Sequence, residues 1–450
     1  MQDLIDLSPY HERLADLEPI RVFGHVQKIV GTIIEAAGPR SGIGSICHIF
    51  PTDESGRETE PVMAEIVGFD ETSVKLMPLE DMRGVLPGSR IVRLRSKPLV
   101  RVGDDMLGRV LDGLGEPIDG GPRIVGSENR LLYGTPINPM KRKRIKNILD
   151  VGIRAINAFL SLGIGQKVGI FSGSGVGKSV LMGMIAKNTS ADVNVIALIG
   201  ERGREVREFI ERDLGGALSR SVVITATSDR SPLQRLRGAF LATAIAEYYR
   251  DQGKNVLFMM DSLTRFAMAR REIGLAIGEP PTSKGYTPSV FALIPSLLER
   301  VGNTDSAGGI TGIYTVLVEA DDLNDPISDA ARSVLDGHIV LSRRIAERNH
   351  YPAIDILGST SRCMPDVISR DQKRMSGMLR EVLATYADAE DLVNIGAYAK
   401  GSNPKIDYAL SVIDDLNGFL RQQIEEKADY GHSINDLAKI LRKHPPTGDM

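Results

Sequence analysis

The sequence predicts an α/β protein in three consecutive parts: a small β domain, a central parallel sheet flanked by helices, and a helical end. Three observations predict it. Short β-branched runs punctuated by glycine occupy residues 21–95. Apolar strand-like runs alternate with helical stretches over 96–365, and from 366 to 450 the apolar spacing is that of helices alone. At 450 residues the chain is also longer than a single hydrophobic core supports, which is about 250–300 residues.

Taken in order, residues 1–20 read as a short helical arm. Leu7, Tyr10, Leu14 and Leu17 share one helical face. Such a face either packs on its own domain or docks a partner, and one short arm does not decide between them. The β-branched runs that follow are Val26–Ile34, Ile46–Phe50, Val62–Val67, Ser73–Leu76 and Arg90–Leu94, which suit a small barrel or a sandwich. The chain has no Trp and only 5% aromatic residues, so this part lacks the stacking platform that a single-strand nucleic-acid barrel uses.

In the middle part the strand-like runs are Lys167–Phe171, Val195–Ile199, Ser221–Thr225, Val256–Met260, Ile313–Val318, His338–Leu341 and Ala353–Leu357. A parallel sheet of this kind binds ligands beyond the carboxyl ends of its strands. In the last part Ile406, Leu410, Ile413, Leu416 and Leu420 form a helical stripe. Ser433-Ile-Asn-Asp436 resembles a capping box opening the helix that carries Leu437, Ile440 and Leu441, and the final residues are expected to fray.

Composition excludes several classes. With 42% hydrophobic and 25% charged residues the chain is neither a disordered tail, a collagen nor a disulfide miniprotein. A net charge of -3 argues against bulk electrostatic binding to nucleic acid or anionic lipid. Cys47 and Cys363 lie far apart and read as reduced thiols of a cytosolic protein. The histidines are scattered and form no metal cluster. The amino terminus has no basic segment followed by an apolar stretch, so it is not a signal peptide. No apolar run reaches the roughly 18–20 residues of a membrane span, so any membrane association is expected to be peripheral. The one dense basic run, Lys141–Lys146, reads as solvated linker.

Four motifs carry chemistry. In Phe171-Ser-Gly-Ser-Gly-Val-Gly-Lys-Ser179 a strand feeds a glycine-rich loop, and a helical stretch follows. Gly173, Ser174, Gly175, Val176 and Gly177 would turn backbone N–H groups around phosphate oxygens. Lys178 supplies a point charge to the β/γ-phosphates, and the Ser179 hydroxyl suits Mg²⁺. Ser172 stands where the strict pattern has its first glycine, which puts only the first turn in question. The second motif is the strand Val256–Asp261, whose terminal carboxylate would hold Mg²⁺ near that loop. The third is Gly200-Glu201-Arg202-Gly203-Arg204-Glu205. Glu201, just past a strand end, is placed to polarise an attacking water and Arg202 to meet the γ-phosphate, although charged clusters are also ordinary surface ion pairs. The fourth is Tyr351-Pro-Ala-Ile-Asp-Ile-Leu-Gly-Ser-Thr-Ser-Arg362.

That fourth motif, with GSGVGKS, IGERGREV, MMDSLTRF and ADDLNDP (Ala320–Pro326), resembles the F/V-type rotary ATPase α/β family over nearly the whole chain. IGERGREV, Gly285-Tyr-Thr-Pro288 and Leu335-Asp-Gly-His-Ile-Val340 point to its type III secretion branch, and within that to flagellar export. The resemblance implies an N-terminal β-barrel, a RecA-like P-loop domain and a C-terminal helical domain. It implies ATP hydrolysis with ATP and Mg²⁺ bound between two subunits. Lys178, Ser179, Asp261 and Glu201 match positions on the catalytic side. Arg265 and Arg202 match arginines near the phosphates, Tyr351 the aromatic that stacks on adenine, and Arg362 the arginine finger that reaches the neighbouring subunit's γ-phosphate. Glu201 and Arg362 lie on one polypeptide, so identical copies would make a competent homohexamer.

The resemblance further implies a stalk-like protein in the ring centre, facing Gly278–Tyr286 and the C-terminal helices. The same loop is equally explained as turn chemistry by Pro280, Pro281 and Gly285. It also implies a peripheral regulator on the N-terminal arm, an export gate, exported substrates and chaperones, and a cytoplasmic place at the inner membrane beside the export apparatus. A virulence-injectisome ATPase shares the same chemistry. A ring-shaped RNA translocase is disfavoured by the aromatic-poor barrel and acidic balance, and a noncatalytic ring subunit by the presence of Lys178, Glu201 and Arg362.

Overall fold

The computed structural model describes residues 22–305, 307–318 and 325–445. The 1–20 arm, the Ala320–Asn324 part of the acidic motif and the last five residues lie outside them. The chain divides into two compact units, Met1–Leu99 with Glu272–Pro280, and Val100–Arg271 with Pro281–Met450.

In the first unit β1 (Phe23–Val30), β2 (Ile33–Ala37), β3 (Ile46–Phe50), β4 (Val62–Phe69), β5 (Val74–Pro78) and β6 (Arg90–Arg95) close into an antiparallel barrel ordered β1-β2-β5-β4-β3-β6. Barrel, not sandwich, is therefore the outcome, and closure leaves no free strand edge. The single run expected over Val26–Ile34 is a hairpin. Gly31, at φ 58°, turns the chain so that Val30 pairs with Ile33. Val26, Ile34, Ala36, Ile49, Ala64, Ile66 and Leu76 fill the interior.

The second unit opens within β7 (Leu99–Val102), which pairs with β9 (Glu128–Leu131) beyond β8 (Val110–Asp112); β10 (Ile148–Leu149) and β11 (Leu162–Gly163) form another small pair. Its main sheet takes in β8, β12 (Lys167–Ser172), β13 (Val193–Ile199), β14 (Ser221–Ala226), β15 (Asn255–Asp261), β16 (Gly309–Leu317), β17 (Gly337–Leu341) and β18 (Ile354–Ser361). Their order is β18-β17-β12-β16-β15-β13-β14-β8. Neighbours from β17 to β8 are parallel. The edge strand β18 departs from the expected pattern: it runs antiparallel to β17. Between the two the chain reverses at Asn349, whose φ is 53°. β12, β13 and β14 are buried along their whole length, as strands covered on both faces must be.

Twelve α-helices are described: α1 (Arg154–Phe159), α2 (Lys178–Asn188), α3 (Gly203–Glu208), α4 (Pro232–Asp251), α5 (Leu263–Ala276), which runs on into the first unit's segment, α6 (Pro288–Leu298), α7 (Pro326–Val334), α8 (Arg343–Glu347), α9 (Met364–Val367), α10 (Arg370–Asn394), α11 (Pro404–Leu420) and α12 (Tyr430–Lys443). The last three form the helical end, and Leu379, Val382, Val412, Leu416 and Leu437 join Ile156 and Phe159 in one continuous core.

Three local expectations change. The buried stripe of α11 is Ala409, Val412, Ile413, Leu416, Phe419 and Leu420, so Ile406 and Leu410 are only half-buried. The helix of Leu437 starts at Tyr430 rather than at Ser433. Asp429 caps it by accepting from the His432 N–H at 2.9 Å, while buried Ser433 donates to the Asp429 carbonyl. The basic run is not wholly solvated. Arg142 pairs with Glu299 at 2.6 Å and donates to the Val301 carbonyl, and Lys143 donates to the Asp305 carbonyl. Lys141, Arg144 and Lys146 remain exposed.

Candidate active site

Ser172 continues β12 to its last residue, and its carbonyl accepts from the Val318 N–H at 3.0 Å. The loop Gly173–Gly177 then turns into α2. Gly175 and Gly177 have φ of 80° and 92°, which a residue with a Cβ rarely adopts. The turn therefore forms without the first glycine of the strict pattern. Gly177 is the N-cap of α2, and the unpaired N–H groups of its first turn, with the helix dipole, face outward from the strand end. The Ser179 side chain is exposed there.

Sheet register brings the acids to this loop. Leu198 of β13 lies opposite Asp261 at the end of β15, so Glu201, three residues farther on, emerges beside it. Lys178 reaches across β16 and forms an ion pair with the Asp261 carboxylate, and its Nζ is 3.8 Å from Glu201 Oε1. Thr315 of β16 donates to Asp261 Oδ1 at 2.7 Å. The side chains of Lys178 and Glu201 are each 13% exposed, and that of Asp261 5%. Burial pushes the Glu201 carboxyl up to about 7, and the negative Asp261 adds to the rise. Lys178 opposes it, and a hydrogen bond with Glu205 raises it further. A carboxyl so poised titrates in the range where a general base works.

Arg265 lies against this cluster. A Cβ on Gly200 would sit 2.8 Å from the Arg265 Cβ, and the buried Arg265 Nε has no hydrogen-bond partner. Arg202 is not drawn in: its side chain is 82% exposed and pairs with Glu205 at 3.6 Å.

A cavity of about 420 Å³ opens beside the phosphate loop, lined by Gly177, Leu181, Met184, Tyr351, Gln423 and Ile424 among others. The Tyr351 ring lies over Gly177, 3.6 Å from where a Cβ would stand there. An apolar slot with a half-exposed aromatic at the mouth of a phosphate loop suits a flat heteroaromatic base.

Arg362 is placed elsewhere. β18 pairs Ile354 with Leu341, level with Ser172, and pairs Ser361 with Gly337 at the opposite end of the sheet. Arg362 is exposed just beyond, its N–H held by the Asp336 carbonyl at 2.9 Å. The eight residues of β18 separate it from the slot by roughly 26 Å at about 3.3 Å per residue.

Sequence reasoning missed several residues of this site. Thr315 lies mid-strand in β16 and carries no motif. The cavity wall at Arg421–Ile424 is far from every motif in the chain and only folding brings it near. Arg343, whose Nη2 lies 3.4 Å from the Ser174 carbonyl, reads as a plain surface arginine.

The chain matches three family profiles. One, for the ATP synthase alpha/beta family nucleotide-binding domain, covers residues 152–361, and the beta-barrel domain of the same family covers 26–95. The third, for the T3SS EscN ATPase C-terminal domain, covers 368–439. The flagellum-specific ATP synthase of Bacillus subtilis is 50% identical over 419 residues, 93% of this chain and 95% of the relative. That of Salmonella typhimurium is 50% identical over 447 residues, 97% and 98% of the two chains. The assembled ATPase EscN of the enteropathogenic E. coli type III secretion system has a similar structure, with a TM-score of 0.87 at 45% identity over 93% of this chain and all of that one. EscN in complex with its central stalk EscO gives a TM-score of 0.85 at 44% identity, with the same coverage.

Proposed function

The chain belongs to the ATP synthase alpha/beta family, and on that premise we propose that it is the ATPase that energises type III export of flagellar components, acting as a homohexameric ring. The observation that carries the reading is the buried Lys178–Glu201–Asp261 cluster at the mouth of a phosphate loop, with Arg362 at the far end of β18. Each subunit thus holds a pocket and, remote from it, the arginine that a neighbour's pocket lacks. Head-to-tail contacts of identical copies close such a ring. The two flagellar relatives at 50% identity support the flagellar assignment over an injectisome one.

Lys178 is neutralised by Asp261 and Glu201. ATP phosphates, entering over the N–H groups of Gly173–Ser179, compete for Lys178. Tyr351 covers the adenine, and Arg265 offers its unpartnered Nε toward the phosphates. Release from Lys178 leaves Glu201 as the base that orients water for in-line attack, and Arg362 of the next subunit stabilises the charge of the transition state. Arg202, exposed and paired with Glu205, acts only if subunit contact turns it inward.

The Ser179 hydroxyl, exposed at the helix start, and the Asp261 carboxylate beside Lys178 are hard oxygen donors of the kind that suits Mg²⁺. Bound there, the ion supplies charge neutralisation at the β/γ-phosphates.

Further partners follow from the family: a stalk in the ring, a regulator on the 1–20 arm, and the export gate with its substrates and chaperones. No helix among the described residues is long and apolar enough to cross a membrane; the place at the inner membrane beside the export apparatus is proposed from the family alone. Nucleic acid has no part in this reading. The test is ATP turnover per molecule against protein concentration: it rises steeply as copies meet, and a flat dependence overturns the shared site.

A further inference from the structure

The wall of the base slot formed by Arg421–Ile424 follows the end of α11, and no motif accounts for its placement. It is irregular backbone, extended at Arg421 and turning at Ile424, that must be held against the rest of the domain. Its anchor is Arg154, the first residue of α1. The Arg154 Nε donates to the Phe419 carbonyl at 2.8 Å, one of the carbonyls that a helix end leaves unpaired. Its Nη2 donates to the Arg421 carbonyl, and the guanidinium forks onto the Glu426 carboxylate. The Arg154 backbone N–H donates to Gln422 Oε1 at 2.8 Å.

Gln422 completes the tie. Its Nε2 donates to the Gly152 carbonyl at 2.7 Å and to the Glu426 carbonyl at 2.8 Å, and its backbone N–H donates to the Tyr351 carbonyl at 2.9 Å. Both faces of the segment are thereby fixed, one to Gly152–Arg154 and one to the residue that covers the slot. Gln422, Gln423 and Ile424 all line the slot from this segment.

We propose that Arg154 is a positioning residue for base recognition: it touches no nucleotide, but it holds the Arg421–Ile424 wall at the width of a purine. Guanidinium is suited to the task, since one planar fork satisfies two carbonyls and a carboxylate together. The inference rests on the reading of the slot as the ATP site and deepens it. It separates two parts of one ligand. The phosphates are held by the loop and Lys178, while the base depends on a wall that Arg154 keeps in place.

The experiment measures ATP and inorganic tripolyphosphate binding to the full-length chain by calorimetry, with KM and kcat for ATP alongside. Arg154→Ala weakens ATP binding about tenfold and raises KM in step, while kcat and tripolyphosphate affinity stay within about twofold of the parent. Arg154→Lys, which can still reach one carbonyl, recovers part of the loss. Glu426→Gln keeps the fold's contacts nearly intact and gives a smaller loss of the same kind, so the test survives if Arg154→Ala does not fold. Equal losses for ATP and tripolyphosphate, or ATP affinity unchanged in Arg154→Ala, overturn the proposal. A parent protein that binds ATP but does not hydrolyse it refutes the ATPase reading and leaves the wall supported or overturned by binding alone. A parent that binds no ATP ends both.

Discussion

Tyr351 and Arg362 flank one edge strand, with Tyr351 in the base slot and Arg362 beyond the opposite end of the sheet. A chain with that arrangement cannot bring its own Arg362 to its own phosphate loop. On the shared-site proposal, the strand that sets Tyr351 at one pocket offers Arg362 to a neighbour's.

Arg362→Ala is therefore expected to lower ATP turnover by about 10³-fold or more with nucleotide binding nearly unchanged. Mixing it with Lys178→Ala subunits should restore part of the activity, because each partner supplies what the other lacks. Turnover assays on the single variants and on the mixture check this, and full activity of Arg362→Ala alone would remove the shared-site arrangement.

Glu201 sets a pH dependence. Its carboxyl is raised to about 7, so the unprotonated form, the one proposed as base, grows as pH climbs through 7. The kcat/KM profile should show an acid limb near that value, and Glu201→Gln should lose the limb together with most turnover. Stability runs the other way. A carboxyl raised by burial favours the folded state below the usual carboxylate range, and that contribution is lost as pH rises through about 7. Glu201→Gln should accordingly melt higher than the parent at pH 8, with little difference at pH 4.5. Identical melting shifts at both values would mean that Glu201 does not titrate in this window.

Gly200 is held at φ 73° with the Arg265 stem against it. Gly200→Ala meets both a strained backbone and a Cβ–Cβ approach of 2.8 Å. It should cost at least about 1 kcal/mol and displace the neighbouring Glu201, so turnover falls along with stability. Denaturant unfolding and ATPase assays at one temperature read the two effects. An alanine variant as stable and as active as the parent would show that the turn has more room than its geometry gives it.

Lys284 bears on the stalk. It sits at φ 49° in the turn Ser283–Gly285, and its Nζ pairs with Asp325 at 3.2 Å while the side chain stays 55% exposed. A lysine-reactive crosslinker should join it to a co-expressed stalk protein. Absence of that product, with crosslinks forming elsewhere, would leave the segment as ordinary turn chemistry.

Local signals travelled well from sequence to structure wherever the chemistry is contiguous. Glycines at positive φ, a lysine and serine at a helix start, and an apolar strand ending in Asp261 are all written within a few residues of each other, so the phosphate loop and its acid were legible. Glu201 was only half legible: an acid just past a buried strand can meet the phosphate loop or join a surface ion-pair cluster, and the register of β13 against β15 decided between them. The expectations that shifted were short-range choices the surroundings override. Gly31 split one run into a hairpin, Asp429 outcompeted Ser433 as a cap, and Glu299 drew Arg142 out of solvent.

From residue order alone come the three-part architecture, the phosphate loop, its carboxylates and the family. Only folding decided which distant segments meet. The order of strands in the sheet set Thr315 and Lys178 on one carboxylate, the reversal before β18 sent Arg362 away from its own pocket, and Arg154 drew the end of α11 into the slot. The reason is physical: a motif states what a few neighbouring residues can do, whereas these contacts join segments distant in the chain, and their partners are chosen by register and packing.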